Sequence, residues 1–149
     1  METNEPSLKL GEHLCFSLYA CSRAILRLYR PYLDELELTY PQYLVLVTLW
    51  EKEKSTIKEL GEALDLDTGT LTPLLKRMEA AGLIERRRDS ADERVVNVLI
   101  TPKGKALQEK AACVPQSLLA ASDMEPEEIN RLNETIIQLL QQVNASSKK

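Results

Sequence analysis

At 149 residues, with 44% hydrophobic residues and five glycines, the chain has the size and composition of one compact, mainly helical domain. Its net charge of −4 excludes a globally basic nucleic-acid binder, so a nucleic-acid partner would have to be met by a local cluster. No apolar run approaches a membrane span, the polar start METNEPSLKL lacks signal-peptide architecture, and three cysteines with one histidine argue against a disulfide framework or a metal centre, so a cytoplasmic chain with reduced thiols and no cofactor is expected.

Residues 8–36 carry a helical pattern. Leu14, Leu18, Cys21, Ile25, Leu28 and Tyr32 recur in steps of three and four, an apolar seam of heptad type, which Pro31 should kink or break. Thr39 and Pro41 then mark the start of a second helix. Its stretch 43–50 is apolar nearly all round, as in a buried central helix. Ser55 or Thr56 caps a short helix with Ile57, Leu60 and Leu64 inward, and the LDLD run turns. The next helix is the best marked. Asp67 is its N-cap, Leu71, Leu74, Leu75 and Met78 form its inner face, and Gly82 stops it.

The period then changes. Two β-type runs, 84–88 and 95–100, flank the polar turn DSADE and predict a hairpin. Thr101 and Pro102 restart helix, which Pro115 should bend. A last helix runs from 125–128 to about 143, with Ile129, Leu132, Ile136, Leu139 and Val143 as a second seam. The first seven residues and the final NASSKK read as frayed ends.

Helix, helix, short helix, turn, helix, hairpin, helix, helix is a winged helix-turn-helix with an added arm at each end. The fold expected is therefore mainly α with a small β-hairpin wing, over one domain. Residues 55–101 form the winged part; 8–36 and 102–145 are the arms, whose two seams would be buried in an intertwined homodimer.

In such a unit the second helix enters the major groove of DNA. Opposite its inner face fall Gly69, Pro73 and Lys76, flanked by Thr70, Thr72 and Arg77, with no carboxylate before Glu79. Thr68, Gly69 and Thr70 sit at the helix N-terminus, where backbone N–H groups favour a phosphate. The hairpin adds Arg86, Arg87, Arg88 and Arg94. An arginine near a wing tip suits a narrow minor groove, and Asp92 is spaced to steady Arg94. Charge alone does not make this case, because 55–104 holds eight basic and nine acidic residues. The element order and the acid-poor helix face make it.

The cysteines are read one by one. Cys21 lies on the first seam and reads as packing. Cys15 lies one residue off it, on a stripe with Tyr19, Ser22, Leu26 and Tyr29; on composition alone it is equally a packed residue or a reactive thiol. His13 and Cys15 are too few for a metal ion.

The run LTYPQYLVLVTLWE with LGEALDLDTGTLTPLLKRMEAAGLIERRRDSADERVVNVLIT resembles the MarR family of winged-helix regulators. LCFSLYACSR, LTYPQYL, LDTGTLTPLLKRME and DER resemble, more narrowly, its organic-hydroperoxide repressors. The likeness runs over about 14–101 and weakens beyond. It implies a homodimeric repressor on an inverted-repeat operator in double-stranded DNA. It also implies that Cys15 senses an organic hydroperoxide, with Tyr29 and Tyr40 donating to its thiolate across the dimer and Phe16 and Tyr19 lining the pocket. Oxidation to the sulfenic acid, capping by a small cellular thiol and release of DNA would follow.

Some relatives use a second, resolving cysteine after the wing. Here CVPQSLLAASDM has none after its Val-Pro pair, and Cys113 precedes that pair, so it is a possible resolving thiol or a packed helix residue. Competing readings are a repressor released by a non-covalently bound phenolic or lipophilic ligand, a thiol peroxidase, for which no acid–base constellation is present, and a purely structural helical dimer.

Overall fold

The structure, a computed structural model, describes residues 8–147. A 3-10 turn, Leu10–Glu12, leads into α1 (Leu14–Glu35), α2 (Tyr40–Lys52), β1 (Lys54–Thr56), α3 (Ile57–Leu64) and α4 (Thr68–Ala80). The hairpin strands β2 (Ile84–Arg88) and β3 (Val96–Ile100) follow, then α5 (Pro102–Ala106), α6 (Gln108–Ala111), α7 (Cys113–Ser122) and α8 (Pro126–Ser147). The chain is mainly helical with a small wing, as expected.

One core joins α2, α3, α4 and the sheet. Val45, Leu46, Leu49, Leu60, Leu71, Leu75, Met78 and Val98 are fully buried, and Ile84 nearly so. Each such side chain contributes about 1.5–3 kcal/mol of transfer free energy. Thr39 and Gln42 form a capping box at the start of α2. Thr56, not Ser55, caps α3. Gly104 packs where a Cβ would meet the Leu83 carbonyl at 2.5 Å, and its own carbonyl accepts from Trp50 Nε1 at 2.9 Å, tying α5 to α2.

Five expectations are corrected. The first helix starts at Leu14 and not at residue 8, because His13 caps it through Nδ1, which accepts from the Phe16 backbone N–H. Pro31 does not break α1; Tyr29 and Leu33 on either side are buried, and that packing outweighs one lost backbone bond. The hairpin gains a third strand. β1 pairs antiparallel with β3, Ser55 opposite Val98, giving the order β1-β3-β2. The helix after the wing is cut before Pro115, into α5, α6 and α7. Pro115 thereby falls in the first turn of α7, where its missing N–H costs little. The last helix runs through Asn144 to Ser147 instead of fraying there; the expected fraying at 1–7 and 148–149 lies outside the described residues.

The first seam is exposed at Leu14 and Cys21 while its Ile25, Leu28 and Tyr32 pack against the core, and the seam on α8 is exposed at Leu132, Leu139 and Val143. Leu14 and Tyr19 on α1 are about three-fifths exposed, and α8 buries no residue at all. Among the described residues no helix is long and apolar enough to cross a membrane.

Candidate nucleic-acid interface and sensor cysteine

The helix-turn-helix is set by a tight turn. Leu66 N–H returns to the Gly61 carbonyl at 2.9 Å, and a Cβ on Gly61 would stand 2.8 Å from the Leu66 carbonyl. Asp65 takes the left-handed conformation that closes α3. Asp67 then caps α4, its Oδ1 accepting from Thr70 N–H at 2.7 Å, and the hydrogen bonds from Thr70 hold its carboxyl below the usual range. Leu71, Leu74, Leu75 and Met78 are all buried, and this fixes the rotation of α4 about its axis. Thr68, Gly69, Thr70, Pro73, Lys76 and Arg77 consequently face out, with Thr72 half-buried. Pro73 deprives the Gly69 carbonyl of a helix partner without interrupting α4.

The wing tip is organised by Asp89. Its carboxylate accepts from the backbone N–H groups of Ala91 and Asp92 and from Asn97 Nδ2, at 3.2–3.3 Å. Asp92 grips Arg94 with both oxygens, Nε to Oδ1 at 3.1 Å and Nη2 to Oδ2 at 3.3 Å, and these bonds lower the Asp92 pKa. The Arg94 side chain is nonetheless 91% exposed. Arg88 donates to the Glu93 carbonyl at 2.9 Å across the turn, and Arg87 pairs with Glu85.

Arg86, one of the hairpin arginines expected to meet DNA, does not extend into solvent with the others. Its side chain turns toward α4 and pairs with Glu79 at 3.1 Å, and only 24% of it is exposed. The strand alternates faces, and Arg86 shares the inner one with buried Ile84. Sequence reading missed this pair, although a Glu seven residues before an Arg, with a helix stop between them, was in view.

The residues expected to sense a hydroperoxide lie in two places. Cys15 is the second residue of α1 and exposed, as are Phe16 and Tyr19; the Arg23 guanidinium stacks 5.4 Å from the Tyr19 ring. Cys21 is exposed and not packed in the core, because this half of α1 projects beyond it. Tyr29, in contrast, is buried against Tyr40, ring centroids 6.0 Å apart, and Tyr43 and Trp50 continue the row. Burial raises the pKa of all three tyrosines, so each stays a neutral O–H donor near pH 7. Cys113 is half-buried and packs against the same core as Tyr43, and its thiol donates to the Lys110 carbonyl. Cys15 and Tyr29 are separated by about 21 Å of helix at ~1.5 Å per residue, so Cys15 does not reach the phenols of its own chain.

Residues 27–111 match the family model described as the transcriptional regulator SarA/Rot. The organic hydroperoxide resistance transcriptional regulator of Bacillus subtilis (strain 168) is 48% identical over 95% of this chain and 96% of its own length. The crystal structure of AbfR of Staphylococcus epidermidis superposes with a TM-score of 0.75 at 35% identity, covering 91% of this chain and 94% of that one. A mutant MarR of Escherichia coli in complex with operator DNA gives a TM-score of 0.76 at 28% identity, covering 85% of this chain and 93% of that one.

Proposed function

This chain belongs to the SarA/Rot family of transcriptional regulators, DNA-binding proteins of the MarR winged-helix type and not enzymes, and we propose that it is a repressor released by organic hydroperoxides through Cys15. Two copies join through 8–36 and 102–145, and each 55–101 unit reads one half of an inverted repeat. In each unit α4 lies in the major groove. Thr68, Gly69 and Thr70 meet a phosphate at its N-terminus, and Thr72, Lys76 and Arg77 reach phosphates and base edges. Arg94, aimed by Asp92, enters the minor groove from a wing braced by Arg88.

The observation that carries the sensor reading is the separation of thiol and phenols. Cys15 sits on an exposed apolar arm, while the neutral donors Tyr29 and Tyr40 are clustered about 21 Å along the helix. A second copy, crossing arms with the first, brings its own Cys15 to that cluster. There the phenols donate to the thiolate, with Phe16 and Tyr19 around it.

The sulfur attacks the distal oxygen of the hydroperoxide. The O–O bond breaks, the alkoxide leaves and takes a proton as the alcohol, and Cys15 becomes the sulfenic acid. A small thiol then displaces hydroxide, giving a mixed disulfide and water. The thiolate–phenol bonds are lost, the added group must be housed, and the two α4 helices leave the spacing of half-sites one DNA turn apart. Cys113, packed against the same core as Tyr43 and Tyr40, favours a second capping route, in which its thiol attacks the sulfenic acid, forms an intersubunit disulfide and releases water.

Fluorescence anisotropy of a duplex from the chain's own promoter tests this. After cumene hydroperoxide and free cysteine, wild type should release the duplex and Cys15→Ser should retain it. Mass spectrometry of the released protein separates a cysteine adduct from a Cys15–Cys113 bridge. Retention by both proteins would transfer the signal to a bound phenolic or lipophilic ligand.

A further inference from the structure

β2 is an edge strand, with β3 on one side only, so one row of its backbone groups has no strand to bond. One of them is taken by the recognition helix. Glu79, in the last turn of α4, accepts from the Arg86 backbone N–H through Oε2 at 3.0 Å and from the Arg86 guanidinium through Oε1 at 3.1 Å. A single carboxylate thus bonds both the main chain and the side chain of one wing residue. Around it, Gly82 N–H closes on the Glu79 carbonyl and Thr101 Oγ1 donates to the Gly82 carbonyl at 2.6 Å. The guanidinium is turned inward tightly enough that its Nε is buried without a protein partner among the described residues. The two bonds to Glu79 hold the guanidinium on the inner face of the strand, turned away from the side a phosphate would approach.

We propose that Glu79 and Arg86 form a brace that fixes the angle between the recognition helix and the wing, so that Arg94 meets the minor groove while α4 occupies the major groove. Arg86 is then a positioning residue and not a DNA contact. The inference rests on the DNA-reading mode proposed above. Its consequence runs against simple electrostatics. Glu79 carries negative charge beside a polyanion, so neutralising it should strengthen binding if charge were its only effect. As a brace, neutralising it should weaken binding.

The experiment is an anisotropy titration of the same promoter duplex over a series of salt concentrations. It uses wild type, Glu79→Gln, Glu79→Asp, Arg86→Gln, Arg94→Ala and the Glu79→Gln/Arg94→Ala double variant. Circular dichroism melts establish that each is folded at the titration temperature. The brace predicts that Glu79→Gln loses about tenfold in affinity. It predicts a salt slope shallower by about one, because the Arg94 contact is lost. Adding Arg94→Ala to Glu79→Gln should then cost little more. Glu79→Asp, which keeps the charge but is one methylene too short, should weaken binding in the same way, and it serves if Glu79→Gln is unfolded. Unchanged or tighter binding by folded Glu79→Gln, with the full Arg94→Ala penalty retained, overturns the brace. Arg86→Gln, which breaks the same brace, should weaken binding and shallow the slope as Glu79→Gln does; a shallower slope in Arg86→Gln with an unchanged one in Glu79→Gln would make Arg86 a phosphate contact and overturn the brace. If wild type itself fails to bind the duplex, the DNA-reading mode falls first and the brace falls with it.

Discussion

Tyr29 and Tyr40 are useful to a thiolate only while they are protonated, and their burial secures that. Replacing Tyr29 with Phe removes one donor and keeps the packing. Sulfenic acid formation at Cys15, followed with a dimedone probe, should slow by about tenfold, the worth of one hydrogen bond to a charged group at ~1.5 kcal/mol. A larger fall in DNA affinity than in oxidation rate would mean that the ring is structural only. The carboxylates of Asp67 and Asp92 have a different pH signature. Both are held below the usual range by hydrogen bonds, from Thr70 and from Arg94 respectively. A depressed carboxyl stabilises the fold above its unfolded value, near ~3.9, and that contribution is lost as pH falls through the lower folded value. Melting temperature should therefore be level from neutrality to about pH 5 and decline below about pH 4. Asp67→Asn, which keeps a cap without the charge, should give a flatter acid limb.

Among the elements, α4 was the most legible in the sequence. Its cap, inner face and stop all stand where Asp67, the Leu71 to Met78 spacing and Gly82 put them. Gly82 holds φ +78°, closing the helix as Leu83 N–H bonds back to Met78, so Gly82→Ala should lower stability by about 1–2 kcal/mol in urea titration. Thr39→Ala, which opens the capping box of α2, should cost about 1 kcal/mol by the same measurement. β1 was not legible, because three polar residues carry no period and owe their extended form to the β3 edge they pair with. Gly104 was not legible either. Only the packing of α5 against the sheet leaves no room for a Cβ, so Gly104→Ala should cost about 1–3 kcal/mol as an overpacked site.

For the whole molecule, the decisive feature is the apolar surface that the single chain leaves uncovered on α1 and α8, including Leu14, Leu132, Leu140 and Val143. Surface of that kind on two terminal arms fits a second copy. Leu132→Glu with Leu140→Glu should shift the molecule toward monomer in sedimentation velocity. The core built on Leu46, Leu71 and Met78 should keep its melting transition. On the proposed reading, in which each unit holds one half-site, DNA affinity should fall with dimer content.

The sequence by itself determined the winged helix-turn-helix, the outward face of α4, the Asp92–Arg94 pair and the seams on the arms. Each depends on local periodicity, on a cap or on neighbours two residues apart, and these interactions are written into adjacent positions. Tertiary structure alone decided the third strand, the gathering of Tyr29, Tyr40, Tyr43 and Cys113, the isolation of Cys15 from them, and the turning of Arg86 toward Glu79. Those depend on how helices and strand edges meet in space. A run of three arginines reads alike from the chain whichever side of the strand each one takes. Packing against α4 draws Arg86 inward and leaves Arg87 in solvent.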